Sequence, residues 1–231
     1  MSTIKTKDIN FYGQIDTLVA TLWATLDFAK KYENVRNISY LVQNFETNFF
    51  ENGNYLKIKA NATYNSFTPV NYLTISKWCK DWLEKDFNQT CKFAPNGINT
   101  KQFPFKERKF EGKIKILVEG NSADYYKNVD ESFKIVEKLD KNKYEINFLS
   151  YQGKPKEWYY VDNFMHRVPY DEVGKVYGDA DILIKSSILE SFSYPPLEMM
   201  ATGGIAVVAP NEGNIEYLKD EENCLLYEQG N

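Results

Sequence analysis

Short apolar runs alternate with stretches of helical character along the whole chain, and that alternation leaves few folds open. Ile15–Thr21, Asn37–Val42, Asn71–Ile75, Lys113–Glu119, Tyr144–Leu149, Asp162–Met165, the run through Ile182–Ile184, Ile205–Ala209 and Cys224–Tyr227 read as strands: each is short, and most are bounded by polar or turn residues. Between them Trp23–Tyr32, Asn54–Tyr64, Lys77–Asp86, Asp130–Leu139, Tyr170–Tyr177, Pro196–Thr202 and the neighbourhood of Ile215–Leu218 read as helices, with Ser76 as an N-cap. Strands that alternate with helices imply parallel sheets, so the fold class is α/β. Asn96-Gly97-Ile98-Asn99 and Phe103-Pro104 mark a turn and a linker, and Lys101–Lys113 is charged and poor in apolar residues. The expected division is therefore 1–108 and 109–231.

Leu189–Glu198 carries the densest chemistry. It follows a buried-strand pattern and leads into the helix at Pro196, which stops at Gly203-Gly204. Two prolines at a helix start cost little, because the leading N–H groups have no internal partner. Those N–H groups and the positive end of the helix dipole make an anion site. Glu190 and Glu198 flank it. A carboxylate only accepts hydrogen bonds, so this layout suits a ligand with hydroxyls on both sides of a phosphate, as in a nucleotide-sugar. For one glutamate alone, a surface loop or helix-capping acid is the simpler reading; the whole assembly points to a ligand site.

The 231 residues, 43% of them hydrophobic, suffice for two modest domains. A net charge of −4 without a basic run argues against a nucleic-acid binder. Aromatics reach 16% and are mostly expected in the core. The three scattered cysteines fit reduced thiols of a cytosolic protein. The single histidine, His166, leaves no His-rich metal site. No apolar run approaches the roughly 20 residues of a membrane span, and the polar Met1–Asp8 does not resemble a signal peptide.

Glu190-x7-Glu198, followed by a small-residue helix and Gly-Gly-Ile-Ala-Val-Val-Ala, resembles the donor-site signature of family 4 glycosyltransferases. Tyr177–Asp181, Glu216 and Asn223–Leu226 extend the resemblance over most of the second half. Val42-Gln43-Asn44-Phe45-Glu46 resembles the sub-group that transfers rhamnose in bacterial surface glycans. The resemblance implies a GT-B fold: two Rossmann-like parallel-sheet domains facing a cleft, the first incomplete. Family members are longer at both ends, so the chain is expected to be truncated there.

The implied activity is transfer of a sugar from a nucleotide-diphosphate donor to a glycan, lipid-linked or glycoprotein acceptor. It proceeds with retention and needs no metal or cofactor. The implied place is the cytoplasm, including the inner face of the cell membrane as a peripheral contact. Gly120, Asn121, Lys127, His166, Ser191, Phe192, Ser193, Tyr194, Leu197 and Glu198 fall on the donor side; Glu198 is to hold the ribose and Glu190 the sugar, with backbone N–H groups of Ser193 and Tyr194 on the phosphates. Glu190, Gln43 and Lys127 are the catalytic candidates, and Trp23, Gln43 and Glu46 the acceptor-side ones. Asn121 stands where the family has Arg, leaving Lys127 as the single expected clamp cation. By itself Lys127 would read as a solvated helix-start lysine, and His166 as readily structural as base-contacting. Two alternatives remain: a remnant that binds nucleotide-sugar without transferring it, and a metal-dependent GT-A enzyme using Asp179 and Asp181, since a divalent cation favours paired carboxylates.

Overall fold

The computed structural model describes residues 13–230; Met1–Asp8 lies outside them. The chain forms two compact units that divide between Asn96 and Gly97.

In the first unit, strands β1 (Ile15–Ala20), β2 (Val35–Val42), β3 (Asn71–Thr74) and β4 (Cys91–Phe93) pair in the order β1-β2-β3-β4, all parallel. Helices α1 (Trp23–Ala29), α2 (Tyr55–Ala62) and α3 (Lys77–Phe87) connect them. Helix α1 stops short of Tyr32 because its last turn tightens: the Lys31 and Tyr32 N–H groups reach back three residues, to the Phe28 and Ala29 carbonyls. Asn54 and Ser76 cap α2 and α3 by accepting from Leu56 N and Cys79 N. The core joins Leu26, Tyr40, Val42, Tyr72 and Leu83 to an aromatic cluster in which Trp82 meets Phe45 at 4.7 Å and Tyr64 edge-on at 4.9 Å. Much of the aromatic content of this half thus builds the interior.

In the second unit, strands β5 (Ile114–Glu119), β6 (Tyr144–Ser150), β7 (Asn163–His166), β8 (Ile182–Lys185), β9 (Ile205–Val208) and β10 (Leu225–Leu226) form one parallel sheet in the order β10-β9-β8-β5-β6-β7. Helices α4 (Val129–Val136), α5 (Tyr170–Asp179) and α6 (Tyr194–Ala201) pack on it. Ile116 and Val118 face one cluster with Phe133, Phe148 and Ile184, whereas Leu117 and Leu183 face the other with Tyr177 and Met199. Burial on both faces is why β5 reads as a nearly continuous apolar run rather than an alternating one. The segment expected as a helix around Ile215 is a series of turns. The Asn214 side chain holds it by accepting from Asn211 N at 2.8 Å and donating to the Ala209 carbonyl at 3.3 Å.

Residues 97–112 pack with the second unit, upstream of the division expected after 108. Phe103 is 2% exposed and meets Tyr177 edge-on. Arg108 donates to the Tyr177 and Ala180 carbonyls, each at 2.9 Å, and reaches Asp181 at 4.0 Å. The charged appearance of this stretch hid an apolar anchor and an arginine clamp.

Candidate functional site

After β5 the chain builds outward through β6 and β7, then returns to place β8 on the other side of β5. The carboxyl ends of β5 and β8 therefore form the point where strand order reverses, the usual ligand position in open parallel sheets. Glu119 ends β5 with Gly120 directly after it, and Lys185 ends β8. Gly120 has φ of +147°, and a Cβ there would sit 2.9 Å from Val129 Cγ2 and 3.8 Å from Lys185 Nζ. Only glycine suits this place.

Lys127 closes the short 3-10 turn Tyr125–Lys127, and Asn128, at φ of +46°, turns the chain into α4. The Lys127 ammonium donates to both oxygens of Glu190, at 2.8 and 3.0 Å. Behind it, Lys185 is 1% exposed and lies 2.5 Å from Glu119 Oε2 and 3.7 Å from Glu190 Oε1. Burial pushes the Glu190 carboxyl up, but Lys185 and Lys127 together hold it below its ordinary value. Burial likewise disfavours the charged Lys127, and the Glu190 charge overrides it, so Lys127 stays cationic.

The loop after β8 is fastened on several sides. Ser186 Oγ donates to the Asn128 carbonyl at 2.6 Å, Ile188 N to the Tyr126 carbonyl at 2.8 Å, and Asn211 Nδ2 to the Ser187 carbonyl at 2.9 Å. Gly213 lies under it; a Cβ there would be 2.1 Å from the Glu190 carbonyl oxygen. The Ser193 N–H is engaged by the Gly213 carbonyl at 3.3 Å, which corrects its expected place on a phosphate. Pro195 and Pro196 occupy the first turn of α6, where neither has an N–H to offer.

Glu198 lines a cavity of about 270 Å³ with Glu119, Ser150, Tyr151, Tyr177 and Tyr194. Burial first, then the neighbouring Glu119 charge, push its carboxyl up to about 7; the hydrogen bond from Tyr177 and the charge of Lys185 only partly offset this. Glu198 and Glu190 thus share the field of one buried lysine. A cavity with an acid poised near neutrality beside a basic pair is the arrangement that marks ligand sites in general.

The remaining expected residues are more varied. Asn121 Oδ1 accepts from Ala123 N at 3.1 Å, a turn-forming contact. His166 ends β7 opposite Ser150, with its ring stacked on Phe164 at 5.4 Å and its Nε2 without a protein partner. Phe192 packs against Tyr194 and Tyr217 beside half-buried Ser191; Leu197 is half-buried in α6. In the first unit Gln43 is exposed and donates to the Thr21 carbonyl at 3.0 Å, and Trp23 meets Phe50 edge-on at 5.8 Å.

Glu46 departs from its expected acceptor-side place. It is 2% exposed, and one oxygen accepts from Trp23 N at 2.6 Å and Tyr40 Oη at 2.8 Å, so it anchors the start of α1 from within. Asp179 and Asp181 lie at the amino end of β8, the far end of the strand from Lys185, and share a cleft with the cations Lys106, Arg108 and Lys115; there Lys106 pairs with Asp179 at 2.8 Å and the Lys115 N–H donates to Asp181 at 2.8 Å. Lys185, Glu119, Tyr177 and Gly213 line or support the site although the sequence assigned none of them a role there. Only Lys185 left a trace, as a charge closing the apolar run Ile182–Ile184.

Residues 162–231 match the family described as glycosyl transferases group 1. Most of the chain superposes on several solved structures. Anabaena Alr3699/HepE in complex with UDP-glucose is 13% identical with a TM-score of 0.71 over 93% of this chain and 65% of that one. Sucrose-phosphate synthase from Thermosynechococcus elongatus is 12% identical with a TM-score of 0.75 over 93% and 61%. TarM of S. aureus is 13% identical with a TM-score of 0.72 over 93% and 45%. The fold is GT-B. The match to the group 1 glycosyl transferases is confined to residues 162–231, and the site residues from His166 to Glu198 fall inside it. The chain spans about half to two thirds of the length of these structures. No curated protein sequence matches it.

Proposed function

We propose that the chain belongs to a retaining, metal-independent glycosyltransferase of family 4 that moves a sugar from a nucleotide-diphosphate donor to a glycan or glycoconjugate acceptor in the cytoplasm, akin to the rhamnosyltransferases of bacterial surface glycans. One observation carries the reading: Glu190 and Glu198, both within the matched residues 162–231, stand with Lys127 at the strand-order reversal of the second sheet. The UDP-glucose held by the Anabaena structure supports the donor class.

In this reading the nucleoside occupies the cavity beside Tyr177 and Tyr194, and Glu198 accepts from a ribose hydroxyl. The diphosphate lies against the Gly120 backbone, within reach of Lys127. Glu190 faces the sugar. As the bond to the sugar breaks, negative charge grows on the departing diphosphate. A fixed ammonium and the positive end of the α6 dipole stabilise that charge without reorganising, which is the main lever a protein has over such a step. Gln43 and Trp23 are the acceptor-side residues. The site needs no further cofactor.

Calorimetry with UDP, GDP, TDP and ADP tests the reading. One of the four binds, and Glu198→Ala weakens it by about tenfold or more, the scale of one hydrogen bond to a charged group. Release of that nucleotide from its sugar conjugate then separates an enzyme from a binding-only remnant, a reading that Asn121 in place of arginine keeps alive. Absence of binding for all four, or an unchanged affinity in Glu198→Ala, overturns the proposal.

A further inference from the structure

Lys185 is a costly residue where it stands. Its side chain is 1% exposed, and the two residues before it, Leu183 and Ile184, are apolar core. A buried ion pair is a poor source of stability, and a well-packed apolar residue of similar volume usually serves the fold as well or better. Something other than packing therefore favours an ammonium here. Its surroundings supply the reason: Nζ lies 2.5 Å from Glu119 Oε2, 3.3 Å from the Glu119 carbonyl and 3.7 Å from Glu190 Oε1. Glu190 in turn grips Lys127 with both oxygens. The charges run unbroken from Glu119 through Lys185 and Glu190 to Lys127.

This chain has a consequence for any anion that approaches Gly120. The Lys127 ammonium is already engaged by Glu190, so an incoming phosphate must compete with a carboxylate for it. A displaced Glu190 would be an unpaired acid with a side chain only 12% exposed, a costly state unless another cation receives it. Lys185 stands within a small side-chain rotation of doing so. The other titratable groups facing Glu190 are the phenols of Tyr126 and Tyr217, neither of which is a cation.

We propose that Lys185 is a positioning residue that receives the Glu190 carboxylate when an anionic ligand takes Lys127, so that the Lys127–Glu190 pair is an internal latch on the site. The inference deepens the reading of Lys127 as the diphosphate-facing cation and rests on it. Removing the latch acid frees Lys127. Removing Lys185 strands Glu190 on Lys127. Removing both leaves no acid to rehouse.

The test is calorimetry of inorganic pyrophosphate and of the four nucleoside diphosphates on the full chain, in the wild type, Glu190→Gln, Lys185→Met and the double variant. Far-UV circular dichroism checks that each is folded. Glu190→Gln binds pyrophosphate about tenfold tighter and Lys185→Met about tenfold weaker, the scale of one charge-assisted contact. The double variant binds as tightly as Glu190→Gln, because no acid is left to rehouse. A lysine that acts independently of Glu190 would instead leave the double variant about tenfold weaker than Glu190→Gln, near wild type, by additivity, and that result overturns the latch. So does weaker pyrophosphate binding in Glu190→Gln, an arm that stands by itself should Lys185→Met not fold. A wild type that binds neither pyrophosphate nor any nucleotide instead removes the donor-site reading, and the latch with it. A ligand-free carboxyl NMR titration adds an independent readout: the Glu190 midpoint rises in Lys185→Met, and an unmoved midpoint counts against the contact.

Discussion

Glu198→Gln should stabilise the protein near neutral pH while weakening the ligand site. Burial and the Glu119 charge raise the Glu198 carboxyl from its ordinary value of 4.5 to about 7, so the folded chain holds a proton that the unfolded chain releases more readily. The stability gained from that proton is full below about pH 4.5 and is lost as pH rises through about 7. At roughly 1.4 kcal/mol per pH unit, the ionised acid costs up to about 3 kcal/mol at pH 8. The cavity admits some solvent to Glu198, so the measured cost falls at or below that figure. Glutamine keeps the acceptor for the Tyr177 hydroxyl and carries no charge. Urea denaturation followed by circular dichroism from pH 4.5 to 8.5 should show the two proteins converging at the acid end. At pH 8 the variant should lead by about 1–3 kcal/mol. Equal stability at pH 8, with the same slope in both proteins, would refute the argument that Glu198 is a strained site acid.

Gly213→Ala should push the Glu190 loop aside, because the new methyl would lie 2.1 Å from the Glu190 carbonyl oxygen; an overpacking loss of about 1–3 kcal/mol and failure to bind nucleotide in calorimetry are expected, and wild-type binding would contradict it. Glu46→Ala should cost about 2–4 kcal/mol in tryptophan-monitored unfolding, since it leaves the Trp23 N–H and the Tyr40 hydroxyl without their acceptor and opens a void. Glu46→Gln retains one acceptor oxygen and should cost clearly less; equal losses in the two variants would show that the carboxylate is not an internal anchor.

Local pattern was enough for the architecture. Parallel α/β order follows from apolar runs too short to be helices alternating with capped helical stretches, and every strand except the three-residue β4, too short to show a pattern, falls within a few residues of where periodicity puts it. The pair Glu190 and Glu198 was legible for a related reason: seven residues of loop and helix start connect them, so their placement is fixed mostly by nearby backbone. What stayed hidden depends on partners distant in sequence. Glu46 reads as a cleft acid until Tyr40, Tyr64 and the start of α1 close over it. The stretch 97–112 reads as a solvated linker until Phe103 and Arg108 find Tyr177 and Ala180. Lys185 reads as a strand-end charge until β5 is laid beside β8, bringing Glu119 against it from 66 residues away. Local periodicity selects elements because backbone sterics and side-chain spacing act within a turn or a strand. Which buried charge faces which is decided only when strand order brings remote residues into the same low-dielectric space, where a lone charge is costly and a paired one persists.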